Sequence, residues 1–180
     1  MRVLDVSLTA IFAALTMVGS YIYVPLPFTP VPITLQTLFT YLSGAILGGR
    51  LGALSQLIYI LLGALGLPVY AGGAGGITRL VGPTGGYIIG FAPCAYVSGR
   101  IVERKGNPGY VWFLLAISVG TAILYSLGIV VLTYWVGGLW EAILLGVVPF
   151  LPGDALKVAL ASYIALKTRP IVRALIPHKA

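Results

Sequence analysis

Charged residues are scarce in this chain: they make up 8% of its 180 residues, and only four residues are acidic. By contrast, 59% of the residues are hydrophobic, and the mean hydropathy is +1.03. Apolar runs of about 20 residues, long enough to cross a hydrocarbon core of about 30 Å, recur along the whole chain. Because no polar stretch is long enough to form a soluble domain, the composition predicts one membrane domain over residues 1–180.

Cysteine and histidine are almost absent, with one residue of each type, Cys94 and His178. A single cysteine excludes an intramolecular disulfide and a cysteine metal cluster. The motifs of zinc proteases and serine hydrolases do not occur, and the glycine-rich segment 70–76 lacks the Gly-Lys-Ser/Thr ending of a nucleotide-binding loop. The sequence therefore predicts a protein that is not an enzyme and that needs no metal and no cofactor.

Strict alternation of polar and apolar residues is also missing, for example in Leu57-Ile-Tyr-Ile-Leu-Leu62, and this excludes a transmembrane β-barrel. Prolines and glycines divide the apolar sequence instead, since proline ends a helix. The predicted fold class is an all-α integral membrane protein, a bundle of six transmembrane helices. The predicted spans are approximately 5–24, 33–48, 51–67, 83–102, 110–136 and 139–167, the last with a break at 149–153.

The net charge of +7 arises from basic residues that cluster on one side of this topology. Basic residues collect in cytoplasmic loops of membrane proteins, so both chain termini are predicted to be cytoplasmic. An odd number of spans would destroy the segregation. The positive-inside rule explains the basic excess without a nucleic-acid partner. Of the 11 basic residues, the nine on this side are Arg2, Arg50, Arg100, Arg104, Lys105, Lys167, Arg169, Arg173 and Lys179.

Small residues recur at intervals of four, as expected where helix backbones approach closely in a membrane. Gly44, Gly48 and Gly52 form one such series, and residues 86 and 90 form another. Ala10 and Ala14 repeat the pattern in the first span. Two interpretations are open: packing within the bundle, or a docking face for another membrane subunit.

Asp154 and Lys157 are opposite charges next to a hydrophobic helix, where an ionisable group costs about 2.5–3.5 kcal/mol unless it is paired or faces a polar cavity. Their i, i+3 spacing places both on one helical face. Asp154 alone could be an N-terminal cap, and Lys157 alone could extend to the lipid headgroups. Arg79, in the glycine-rich loop, is a third candidate, with contact to a lipid phosphate as its alternative role. A pair that faces a cavity explains the shared face directly.

Four motifs in order along the chain resemble the BioY family, the biotin-binding membrane subunits of energy-coupling-factor (ECF) transporters. The similarity extends from the first span to the last. The motifs are Pro27-Phe-Thr-Pro-Val-Pro-Ile-Thr-Leu-Gln36, Gly66-Leu-Pro-Val-Tyr-Ala-Gly-Gly-Ala-Gly-Gly76, Val81-Gly-Pro-Thr-Gly-Gly-Tyr-Ile-Ile-Gly-Phe91 and Pro152-Gly-Asp-Ala-Leu-Lys157.

The resemblance implies a six-helix bundle with an occluded biotin cavity near the outer surface, in the plasma membrane of a prokaryote. It implies an energising module as partner, made of a transmembrane scaffold subunit and two cytoplasmic ATPases. In that family the Asp-x-x-Lys pair lines the biotin site, which implies this role for Asp154 and Lys157. The Ala-x-x-x-Ala pattern of the first helix implies that Ala10 and Ala14 face the scaffold.

The chemistry of these residues suits biotin, which has a ureido ring, an apolar thioether ring and a carboxylate tail. An ionised Asp154 can accept the ureido N–H groups, and Lys157 can donate to the ureido oxygen. Arg79 is the candidate for the carboxylate at the cavity mouth. In a competing pose, Lys157 binds the carboxylate instead.

Further contacts are expected from the motifs around the pair. Tyr87 and neighbouring aliphatic residues are predicted to contact the thioether ring. Gln36 and backbone groups between Gly73 and Gly76 are candidate polar contacts.

Three alternatives remain at the level of sequence. The chain could bind another vitamin, such as riboflavin or thiamin, or transport biotin without an energising module. It could also be a channel or a structural assembly protein. A channel would require polar residues at several depths of one pore, whereas here the charges gather at the outer ends of the spans.

Overall fold

The computed structural model describes residues 3–175, and it is mostly helical. Arg2, His178 and Lys179 lie outside the described residues. The α-helices are α1 (Val3–Tyr21), α2 (Gln36–Leu47), α3 (Gly49–Ala64), α4 (Thr78–Val81), α5 (Gly85–Glu103), α6 (Tyr110–Val136), α7 (Leu139–Gly146) and α8 (Leu151–Leu175). Two 3₁₀ turns, Ala71–Gly73 and Val148–Phe150, lie before α4 and between α7 and α8.

Three helical segments are long and apolar enough to cross a membrane: Val3–Tyr21, Tyr110–Val136 and Leu139–Ala174. The protein is therefore an integral membrane protein with a helical fold. Within the described residues, α2 and α3 are shorter, with 12 and 16 residues, and α5 has 19. Each predicted span overlaps at least one of these helices, but the count of six crossings stays a prediction.

A small β-ribbon departs from the all-α expectation. Strand β1 (Tyr23–Val24) pairs antiparallel with β2 (Ile33–Thr34), and the proline-rich segment between them forms the turn. The first helix ends at Tyr21, before the predicted end of the first span. Prolines, which lack an N–H group, exclude a helix here, and the extended chain pairs with itself instead.

Helix α5 packs against α2, α3 and α6, while α8 packs against α2 and α6. The glycine series lie in these contacts: a Cβ added at Gly44 would lie 2.6 Å from the Ser98 hydroxyl of α5, and one at Gly52 would lie 2.7 Å from the Gly44 backbone. A Cβ at Gly90 would lie 2.9 Å from Leu124 of α6. These distances confirm the packing interpretation for the glycines, because a larger residue would separate the helices.

A buried polar network joins α1, α2 and α3. The side chain of Gln56 is fully buried, and its amide oxygen accepts a hydrogen bond from Thr40 at 3.2 Å. The amide nitrogen lies 3.2 Å from the hydroxyl oxygens of Thr16, Ser43 and Ser55. Polar groups that are removed from water need such partners, so the network fixes the three helices relative to one another.

Arg169 is one of the basic residues predicted on the cytoplasmic side, yet its side chain is buried and only 2% exposed. Its guanidinium donates to the carbonyl oxygens of Ala45 and Ile46 in the last turn of α2. The neighbouring start of α3 is held from α5, where the Glu103 carboxylate accepts from the Gly49 N–H at 3.1 Å. A cation at a helix C-terminus and an anion at a helix N-terminus are both favourable, so these contacts stabilise the α2–α3 joint.

Candidate functional site

A cavity of about 340 Å³ lies at the end of the bundle where α2, α5 and α8 begin. Its walls come from these three helices, from α6, and from the segments that follow α1 and α3. A volume of this size is within the range of about 300–1,000 Å³ for small-molecule sites. Aromatic and aliphatic side chains provide most of the lining, together with a smaller number of polar and charged groups.

Asp154 and Lys157 both line this cavity and form an ion pair of 2.8 Å between Oδ1 and Nζ. The side chains are 7% and 12% exposed. The hydrogen bonds to the carboxylate within the described residues come from side chains rather than from the helix backbone. The pair therefore faces the cavity, and Lys157 does not extend away from it.

Two residues that were not predicted from the sequence complete this cluster. Tyr125 of α6 donates a hydrogen bond of 2.6 Å to Asp154 Oδ2. Thr37 of α2 accepts from Lys157 Nζ at 3.0 Å and lies 3.4 Å from Asp154 Oδ1. A tyrosine in the middle of an apolar span and a threonine next to Gln36 were the available signals, but neither identifies its partner.

Tyr87 and Gln36 also line the cavity, and both are buried. The Tyr87 hydroxyl donates to the carbonyl oxygen of Gly146 at 2.9 Å, which fixes the ring in the wall. The ring lies against Gly128 of α6, where a Cβ would collide with it. The Gln36 amide bonds to Thr34 on one side, at 3.0 Å, and to Tyr59 on the other.

The glycine-rich loop does not bring the two predicted glycines to the cavity. Gly73 and Gly76 do not line the cavity, and their N–H groups donate to the carbonyl oxygens of Tyr70 and Gly63. Both have positive φ, 72° and 94°, which glycine adopts without strain. The loop reaches the cavity through residues 71, 72 and 74 instead.

Tyr70 anchors the start of this loop from inside the cavity wall. Its hydroxyl donates to the carbonyl oxygen of Ile60 at 2.7 Å, and burial raises its pKa to about 12. The hydroxyl is thus a neutral donor at physiological pH. Tyr21, at the end of α1, donates to the carbonyl oxygen of Pro68 and ties α1 to the same loop.

Arg79 lies on α4, is exposed, and lines the cavity. Among the described residues it makes no ion pair. The cavity is thus lined by two cations, Arg79 and Lys157, and one anion, Asp154. One positive charge is left unbalanced, which favours a ligand with a single carboxylate.

Known proteins with similar sequences identify the family of this chain. The model of the BioY family matches residues 1–174. The chain belongs to the BioY family. The biotin transporter BioY of Thermotoga maritima is similar over most of its length: the two chains are 44% identical over 161 residues, or 89% of this chain and 93% of that protein. The probable biotin transporter BioY of Pyrococcus horikoshii is 45% identical over 165 residues, or 92% of this chain and 96% of that one.

A solved structure has the same fold as this BioY chain. It is the 2.1 Å crystal structure of the S-component for biotin from an ECF-type ABC transporter. The TM-score is 0.81 and the identity is 25%, with 98% of this chain and 92% of that chain covered.

The site of this BioY protein combines groups suited to non-covalent binding. An acceptor (Asp154), a donor (Lys157) and an exposed guanidinium (Arg79) line a cavity whose other walls are mainly apolar. Such an arrangement orients a small molecule that has a polar head, an apolar middle and an anionic end.

Proposed function

We propose that this BioY protein binds biotin with high affinity in the cavity beside Asp154 and Lys157. The observation that supports the proposal most strongly is the 2.8 Å ion pair on the wall of a ligand-sized cavity. A buried ion pair is a costly feature, and a ligand that bonds to both of its members gives a reason for it.

The ureido head of biotin binds at the ion pair. Lys157 has three N–H donors, of which two are used by Asp154 and Thr37, so one is available for the ureido oxygen. The Asp154 carboxylate accepts from Lys157 and Tyr125, and it keeps lone pairs for the ureido N–H groups. Charge-assisted hydrogen bonds of this kind are stronger than neutral ones and set the orientation of the head.

The rest of the ligand extends toward Arg79. Tyr87 contacts the thioether ring, and Gln36 supplies a further polar contact. Arg79 binds the carboxylate at the cavity mouth, which neutralises the unbalanced positive charge of the site. The competing pose, with the carboxylate on Lys157, would leave Arg79 unused. The glycines at 73 and 76 contribute by shaping the loop.

In the membrane, the protein has six spans, and both termini are on the cytoplasmic side of a prokaryotic plasma membrane. Three apolar segments support this topology, together with the packing of α2, α3 and α5 into the same bundle. The exposed residues Arg50, Arg100 and Arg104 lie at the opposite end of these helices from the cavity. By the positive-inside rule, the cavity is then on the extracellular side.

The protein acts as the S component of an ECF transporter and catalyses no covalent chemistry. Its energising module consists of a transmembrane scaffold subunit and two ATPases. Ala10 and Ala14 of α1 are both exposed and form a smooth stripe on which a partner helix can pack. Transport of biotin by this subunit alone is the alternative.

Equilibrium binding to the detergent-purified protein tests the assignment. We expect saturable binding of biotin, and no saturable binding of riboflavin or thiamin at the same concentrations. Reconstitution in liposomes with and without candidate ATPase partners then separates an energised transporter from a solitary one. Absence of saturable biotin binding by folded protein would overturn the proposed function.

A further inference from the structure

Tyr59 of α3 lies directly behind the cavity wall. It is fully buried and does not line the cavity, yet it contacts three residues that do. Its hydroxyl is hydrogen-bonded to the Gln36 amide. Its ring packs edge-on against Tyr70, at 5.6 Å between centroids, and at a tilt against Phe91, at 6.1 Å.

The contact with Gln36 fixes the position of that amide in the cavity wall. The amide oxygen accepts from Thr34 at 3.0 Å, and the amide nitrogen donates to Tyr59. An amide has two N–H donors and an oxygen with two lone pairs, so one donor and one lone pair remain for a ligand. The terminal torsion of a glutamine is broad, so without such partners the amide plane rotates readily and no longer meets the ligand in a fixed position.

We propose that Tyr59 is a positioning residue for the ligand, and that it acts through the Gln36 amide. Its hydroxyl, opposite Thr34, holds that amide in place in the cavity wall, which matters for a ligand whose ureido group has both donors and an acceptor. Its ring supports Tyr70 and Phe91 in the apolar part of the wall. The inference rests on the proposed function, because it assumes that biotin occupies the cavity.

A double-mutant cycle with biotin as the ligand tests this role. Tyr59→Phe removes the hydroxyl and keeps the ring, and Gln36→Leu removes the amide. We expect each variant to bind biotin about tenfold more weakly, since each loses or disorders a polar contact in a water-excluded site. The double variant should bind no more weakly than Gln36→Leu alone, because Tyr59 acts through an amide that is then absent.

Tyr96→Phe, on the exposed side of α5, is the matched control and should keep the affinity of the original protein. Losses that multiply in the double variant would show that Tyr59 acts independently of Gln36, and would overturn the inference. Unchanged affinity in Tyr59→Phe would also overturn it. If that variant does not fold, Gln36→Leu alone still tests the inference, because unchanged affinity there would mean that Tyr59 cannot act through this amide.

The ring has a separate test. Tyr59→Leu should bind biotin more weakly than Tyr59→Phe, and this additional loss should persist in the Gln36→Leu background, because it passes through Tyr70 and Phe91. Equal affinities for the two Tyr59 variants would contradict the role of the ring. Failure of the original protein to bind biotin would instead refute the proposed function, so the two failures are distinguishable.

Discussion

Tyr125 on α6 donates a hydrogen bond of 2.6 Å to the carboxylate of Asp154 on α8. The bond joins the long apolar helix to the charged face of the cavity and occupies Oδ2, while Lys157 occupies Oδ1. Asp154 is thus held from two sides and presents its remaining lone pairs in a fixed direction. A carboxylate oriented in advance binds more tightly than one that must be ordered by its ligand.

Tyr125→Phe should therefore weaken biotin binding by about five- to tenfold, because a hydrogen bond to a charged group contributes roughly 1.5–3 kcal/mol and part of it is replaced by the ligand. Equilibrium binding to purified protein measures the change. Tyr134→Phe is the control on the same helix, since Tyr134 is 86% exposed. Equal affinities for the two variants would show that Asp154 does not need this donor.

Gly128→Ala tests the position of Tyr87. A Cβ at residue 128 would collide with the Tyr87 ring, so the ring would have to shift from its place in the cavity wall. Overpacking of this kind costs about 1–3 kcal/mol, so we expect weaker biotin binding together with a lower unfolding midpoint. Gly109→Ala is the control, because a Cβ there would have nothing within 4 Å. Unchanged affinity in Gly128→Ala would mean that Tyr87 does not form the wall for the ligand.

Arg79→Gln distinguishes the two poses of the ligand. If Arg79 binds the carboxylate, the variant should bind biotin at least about tenfold more weakly and should bind biotinamide, which has no carboxylate, as the original protein does. Lys157→Met should then weaken both ligands. The reverse pattern, in which only Lys157→Met discriminates between biotin and biotinamide, would establish the competing pose.

Gln56→Leu should destabilise the bundle. The change leaves Thr40 and the other buried hydroxyl groups of the network without their shared partner, at a cost of about 1–3 kcal/mol. Thermal unfolding in detergent should show a lower midpoint, while Ser126→Ala, at an exposed serine, should not. Biotin affinity of the folded variant should be retained, since Gln56 does not line the cavity. An unchanged midpoint would contradict the role of the network.

The positions of the helices could be predicted from the sequence because apolar runs and proline or glycine breaks are local signals. The spacing of Asp154 and Lys157 likewise identified a pair on one face, which the structure shows as an ion pair. Tyr125 and Thr37 could not be found in this way, because they lie 29 and 117 residues from Asp154 in sequence, and only the packing of α2, α6 and α8 brings them together.

In the glycine-rich loop, the residues that line the cavity could not be identified from the sequence. Its composition indicates close backbone approach, but it does not indicate which residue of the loop makes that approach. Gly73 and Gly76 do not line the cavity, and their N–H groups are used within the protein. The burial of Arg169 could not be predicted either, because the positive-inside rule indicates on which side of the membrane a basic residue lies and not whether its side chain is buried.

The affinity of Asp154→Asn and Lys157→Met for biotin shows whether the ion pair binds the ligand. Each change leaves the other member of the buried pair without its partner and removes a bond to the ureido head. We expect each variant to bind biotin at least about tenfold more weakly, which is about 1.4 kcal/mol or more, while the fold is retained. Near-normal affinity in both variants would mean that the ion pair is a structural feature of α8 and not the site of ligand binding.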